Sequence, residues 1–292
     1  MKNEEYKKLN ASAGGFAFTV MIILYLIISV LGQTIISLIG IENLVLKSVI
    51  GATFSPIAII ISIFLVKQKV GEKLNTICVL RKFNPIFILL ALLFSFGMFF
   101  GLGFVNTLIA DLLKNLGLNY PSISFPLENP LHLIIFSLTF ALLPAFFEEI
   151  FFRGVLLNSI NNGKIIISGV IIALFFALYH CSPVQLVYQF IYGVGLYFLV
   201  KVSGSVFIAI ISHFINNFTV ILFQYYKLNV DLFNGFIIAS GIIALIIFST
   251  ICYLILKKQD VKNKKTELKS FIFPYGFIGG LACVLLMISG LF

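Results

Sequence analysis

Two glutamates and an arginine stand inside an apolar stretch, Pro144-Ala145-Phe146-Phe147-Glu148-Glu149-Ile150-Phe151-Phe152-Arg153. A charge at the bilayer centre opposes insertion by about 2.5–3.5 kcal/mol on translocon scales, so such a cluster marks a functional site whose partners lie elsewhere in the membrane. On an α-helix Glu149 and Arg153 are i,i+4, the spacing at which an ion pair closes. Glu148 points about 140° away from Arg153 at 3.6 residues per turn and finds no partner on its own helix. The plainer reading is a helix end, with Glu and Arg marking the exit from the bilayer. Against it, the apolar run resumes at once through Ile150-Phe151-Phe152 and Val155-Leu156-Leu157.

Partners for Glu148 are few. His180 closes the apolar run Ala173-Leu174-Phe175-Phe176-Ala177-Leu178-Tyr179, and His213 sits four residues before Asn217, so that the last two face the same way on a helix. At about 1.5 Å per residue, Glu148 lies roughly 21 Å and His180 roughly 27 Å from a turn expected at Asn161-Asn162-Gly163, and His213 about 14 Å past Gly204. Glu148, His180, His213 and Asn217 can therefore converge. Such a set suits hydrolysis of a polar bond: the carboxylate takes a proton from water, and imidazole and amide donors stabilise a tetrahedral oxyanion. A divalent metal such as zinc is the alternative, with Glu148, His180 and His213 as ligands; otherwise no cofactor is implied. Taken singly, each histidine reads as a hydrogen-bonded packing residue; beside the glutamate pair it reads as part of a site. The third histidine, His132, follows Pro121, Pro126 and Pro130 and reads as interfacial.

The elements that position these residues follow from composition. The chain of 292 residues is 60% hydrophobic and 11% charged, with mean hydropathy +1.11, which defines an all-α, polytopic transmembrane helix bundle. Nine apolar stretches are candidate spans, at about 14–39, 48–66, 84–109, 131–158, 165–180, 184–201, 205–225, 234–256 and 271–291; the fifth is short, so eight to nine spans are expected. They form one membrane domain: N-terminal spans in 1–130, a catalytic helix core in 131–225 and C-terminal spans in 226–292. Met1-Lys2-Asn3-Glu4-Glu5 leads into an apolar run too long for a signal peptide, so the first span is expected to be retained. A cytoplasmic N-terminus puts all Lys and Arg on the cytoplasmic side except Lys47, Lys114 and Lys227, as the positive-inside rule requires. The net charge of +9 is thereby spent on topology and contact with lipid, not on nucleic acid. Cys78, Cys181, Cys252 and Cys283 are scattered and read as small buried hydrophobes, without a disulfide framework. Gln185, Tyr188, Gln189 and Tyr192 form a helical stripe, lining a groove or bonding to a neighbouring helix. Pro144 frees the carbonyl of Phe140 beside the glutamates.

The three polar clusters resemble the motifs of the CPBP family of intramembrane proteases, related to type II CAAX prenyl endopeptidases and bacterial Abi bacteriocin-immunity proteins. E-E-x-x-x-R matches Glu148, Glu149 and Arg153; F-x-x-x-H matches Phe176 and His180; H-x-x-x-N matches His213 and Asn217. Gly193-Val194-Gly195-Leu196-Tyr197 and Ser203-Gly204-Ser205 resemble the Gly-rich approach to the third motif, and the likeness covers about residues 131–223. The resemblance implies that Glu148 activates water with the help of His180, that His213 and Asn217 form the oxyanion site, and that Glu149 and Arg153 order the motif helix. A peptide or lipidated protein is the expected substrate, cut near the cytoplasmic side with a metal-free mechanism preferred, and the Ile-, Lys- and Asn-rich usage points to a bacterial plasma membrane. A non-catalytic bacteriocin self-immunity protein and, less well supported, a proton-coupled transporter are the competing readings.

Overall fold

The structure, a computed structural model, describes residues 9–78, 80–118, 120, 124–160, 165–228, 230–258 and 268–290. The expected N-terminal lead-in, the Asn161-Asn162-Gly163 turn, Pro121 and most of the 257–270 loop lie outside them. All regular structure among the described residues is helical. In chain order the helices are α1 (Ala11–Ile39), α2 (Leu44–Val70), a single turn α3 (Leu74–Ile77), α4 (Ile86–Asn115), α5 (Pro130–Ser159), α6 (Ile165–Tyr179), α7 (Leu186–Ser203), α8 (Val206–Tyr225), α9 (Gly235–Lys258) and α10 (Leu268–Ser289). Eight of these, all but α3 and α6, are long and apolar enough to cross a membrane. The chain is an integral, multi-pass membrane protein, and the short fifth candidate span is α6.

Helix boundaries follow local chemistry. Asn10, Asn43 and Asn129 cap α1, α2 and α5 by accepting from Ala13, Leu46 and His132 N–H at 2.9 Å, and Pro130 occupies the first turn of α5, where its missing N–H costs nothing. The bonds to the Asn129 cap and from His132 Nδ1 to Pro126 O at 2.9 Å hold His132 in a helix start, away from the glutamates.

Successive passes run antiparallel and define two faces. On one, Ser205 Oγ donates to Arg81 O at 2.6 Å and Asn158 Nδ2 to Thr76 O at 3.0 Å; this face carries the lysine-rich connections. On the other, Tyr120 Oη donates to Cys181 O at 3.1 Å and Phe125 N to Gln224 Oε1 at 3.2 Å; this face also carries the turn between α1 and α2. With 15 residues, α6 rises only about 22 Å, short of a hydrocarbon core of about 30 Å. The segment that follows it, which begins with His180, is therefore sunk below the second face, an arrangement tolerated where protein surrounds the irregular backbone.

α5 crosses the middle of the bundle against α1, α2, α6 and α8. It is not uniformly α: Ser137–Leu142 and Ile150–Leu156 are π-helical. Wide turns of this kind recur at functional sites, and here they bracket the segment Leu143–Glu149 that carries both glutamates.

Candidate active site

Glu149 is fully buried and Arg153 nearly so, and Arg153 Nη1 donates to Glu149 Oε1 at 2.9 Å. Arg153 does not mark a helix exit and drops out of the orientation argument. Its Nη2 donates to Gly193 O at 3.3 Å, and the guanidinium stacks 4.1 Å over the Phe176 ring. Glycine suits position 193, because a Cβ there would press on Ala173 Cα at 3.0 Å. That close approach of α7 to α6 brings the carbonyl to the arginine.

Glu149 has a second partner. His213 Nδ1 donates to the same Oε1 at 2.8 Å, so α8 is tied to α5 through a buried Arg–Glu–His chain. Phe176 meets His180 and His213 edge-on, with centroid separations of 4.8 and 5.9 Å. One ring thus holds both imidazoles and the guanidinium at a common level. His180 Nδ1 donates to Phe176 O at 2.8 Å, which fixes its neutral tautomer with the lone pair on Nε2.

Glu148 is also buried, but differently. Its Oε1 accepts from Tyr179 Oη at 3.2 Å, and its Oε2 has no hydrogen-bond partner. Tyr179 is in turn hydrogen-bonded to Ser55 of α2. Neither Tyr179 nor Ser55 was marked by the sequence; the one signal was their hydroxyls in apolar runs. Glu149 bonds Arg153 and His213, and Phe176 touches Arg153, His180 and His213, so the three motifs form one charged cluster. Asn217 Nδ2 donates to Phe140 O at a long 3.5 Å, the carbonyl that Pro144 releases from the helix ladder. The neighbouring Asn216, which the sequence did not single out, accepts from Tyr188 Oη at 2.7 Å. Tyr192 Oη meets Ser212 Oγ at 3.5 Å. These tyrosines of the α7 stripe bond between helices and do not line a groove.

A groove of about 490 Å³ lies elsewhere, between α1, α2 and α5. Gln33, Lys47 and Ser48 stand towards its mouth, beside the α1–α2 turn, and Ser55, Phe140 and Pro144 line it further along. Ser55 reaches Glu148 through Tyr179, and Phe140 O meets Asn217. Glu148, His180, His213 and Asn217 do not line the groove; its links to the charged cluster run through Ser55 to Tyr179 and through Phe140 O to Asn217.

A metal centre can be tested on the donors. Nδ1 of each imidazole is fixed by a hydrogen bond, as in many metal-binding histidines. Yet no three His, Cys, Asp or Glu side chains among the described residues are grouped to hold one ion, and Glu149 Oε1 already accepts from Arg153 and His213. The donors do not fit a metal site as arranged, and no step below runs through one.

A multi-pass helical bundle with a buried glutamate–arginine–histidine cluster defines an integral membrane protein with a candidate active site. Residues 130–219 match the family described as type II CAAX prenyl endopeptidase Rce1-like; this part of the chain is a domain of that peptidase family. No curated protein and no solved structure matches the chain.

Proposed function

We propose that the protein is an intramembrane endopeptidase in which Glu148 takes a proton from a water molecule that attacks a peptide carbonyl. The observation that carries this reading is the buried carboxylate with one oxygen anchored by Tyr179 and the other, Oε2, free of hydrogen bonds. Water bound to Oε2 gives its proton to the carboxylate as the new C–O bond forms; Glu148 later passes that proton to the leaving amine. His180 Nε2 accepts the second hydrogen of the water and orients it. Asn217 Nδ2 and His213 form the oxyanion site, whose stabilisation carries much of the rate.

The substrate in this reading is an extended stretch of a membrane-associated or lipidated peptide lying in the groove. The groove mouth stands opposite the lysine-rich connections, so by the positive-inside rule access is from the non-cytoplasmic side. The sequence leads instead to an expectation of cleavage near the cytoplasmic side; mapping the cut site in sealed vesicles of known orientation decides between the two. The test is cleavage of fluorogenic peptides, prenylated and unmodified, by the protein in lipid nanodiscs. Wild type should cut at least one peptide, and Glu148→Gln should be slower by about 10²–10⁴ with unchanged thermal unfolding. A Glu148→Gln protein with full activity ends the proposal.

A further inference from the structure

Two thiols far apart in sequence meet beside the site. Cys181 directly follows His180 and takes a left-handed φ of 47°. Its carbonyl accepts from Tyr120 Oη at 3.1 Å, and its side chain lies near that of Cys283 on α10. The packing of α6 on α10 sets this pairing independently of the thiols. A Cβ at Gly280 would lie 3.9 Å from Leu178 Cδ1 and from Phe175 Cε1. The two helices run parallel, so three residues further along each comes the Cys181–Cys283 level. Beyond it, Gly290 lies against the Tyr120 ring, 3.3 Å from a Cβ placed there. Both cysteines are free thiols; Cys283 is buried and Cys181 is partly accessible.

We propose that Cys181 and Cys283 are a redox-responsive pair whose disulfide staples α10 to the turn carrying His180. The oxidant is a low-molecular-weight disulfide. The Cys181 thiolate attacks it, forming a mixed disulfide and releasing one thiol; Cys283 then displaces the second thiol as the protein S–S bond forms. Two protein thiols are oxidised and one external disulfide is reduced to two thiols. The pair sits at the face opposite the lysine-rich connections, where the positive-inside rule places the non-cytoplasmic compartment and disulfides persist. Tyr179 and His180 immediately precede Cys181, so the staple braces the backbone that holds the anchor of Glu148.

The experiment treats the full-length protein in nanodiscs with oxidised glutathione, blocks remaining thiols by alkylation, and maps peptides by mass. The expected product links residues 181 and 283 with loss of two hydrogens. It closes a ring of about 100 residues and raises the thermal midpoint by roughly 4–16 °C, reversed by dithiothreitol. Cys181→Ser and Cys283→Ser should lose both effects, and Cys78→Ser and Cys252→Ser should keep them. If Cys283→Ser does not fold, Cys181→Ser carries that arm alone. A stable glutathione adduct on Cys181 with no internal link, or a link that leaves the midpoint unmoved, overturns the proposal. Both readouts are independent of peptide cleavage, so the pairing stands or falls apart from the proposed peptidase activity.

Discussion

Arg153→Met removes the cation at the centre of the buried network while keeping much of the side-chain volume. The guanidinium supplies a 2.9 Å bond to Glu149, a 3.3 Å bond to Gly193 O and the stack over Phe176. After substitution, the fully buried Glu149 carboxylate retains only His213, and its Oε2 already lacks a partner. Stranding one member of a buried ion pair costs about 3–5 kcal/mol. The lost stack adds about 1–2 kcal/mol, and the remaining His213 bond offsets a similar amount, so the net expectation stays near 3–5 kcal/mol. At about 2–4 °C per kcal/mol for a chain of this order, the midpoint should fall by roughly 6–20 °C. The assay is thermal unfolding in nanodiscs followed by circular dichroism. Glu149→Gln/Arg153→Met provides the decisive comparison: with both charges gone nothing is stranded, and at least half of the loss should return. A single variant that loses less than about 1 kcal/mol, or a double variant no better than the single, refutes the reasoning.

Further tests follow from the same geometry. Tyr179→Phe deletes the hydroxyl that anchors Glu148 Oε1; a hydrogen bond to a charged group is worth about 1.5–3 kcal/mol, so kcat should drop by roughly 10–150-fold with KM little changed. An equal rise in KM would instead assign Tyr179 to substrate binding. Asn217→Ala should lower kcat by about 10²–10³ if the amide donates to the oxyanion, and its long bond to Phe140 O means stability should hardly move. The reverse pattern, a stable rate with a lowered midpoint, would make Asn217 structural. Gly193→Ala drives a methyl towards Ala173 and should destabilise by about 1–3 kcal/mol; an unchanged midpoint would show that α6 and α7 separate at no cost.

What was legible in the sequence was mostly what helical geometry makes local. The Glu149–Arg153 pair follows from i,i+4 spacing, and the release of the Phe140 carbonyl follows from Pro144, although that its acceptor capacity is met by Asn217 from α8 required the fold. Periodicity also separated Glu148 from its neighbour, and the number of apolar segments anticipated the bundle. Three features were out of reach. The π-helical turns of α5 break the uniform rise on which depth counting rests, so the level shared by Glu149, Phe176 and His213 had to be seen in contacts. The partners of Glu148, Tyr179 and Ser55, are hydroxyls in apolar runs with no spacing relation to it. Cys181 and Cys283, scattered in sequence, meet only because α6 stops short and α10 packs alongside it.

These features combine into one physical argument about why two adjacent glutamates are needed. A single buried carboxylate cannot both tie two helices together and keep an oxygen open for water. Glu149 takes the first task, accepting from Arg153 on its own helix and His213 on α8 through the same oxygen. Its neighbour on the α-helix points elsewhere, and there α6 offers only one hydroxyl, from Tyr179, leaving Oε2 without a partner. An acceptor left bare at this depth is costly unless something polar arrives to meet it. In the proposed peptidase, water and a peptide bond have to reach it, and the groove lined by Ser55 and Pro144 is the candidate route. The division of labour also separates two mutational signatures: loss at 149 or 153 reads as instability, and loss at 148 reads as chemistry with the fold intact.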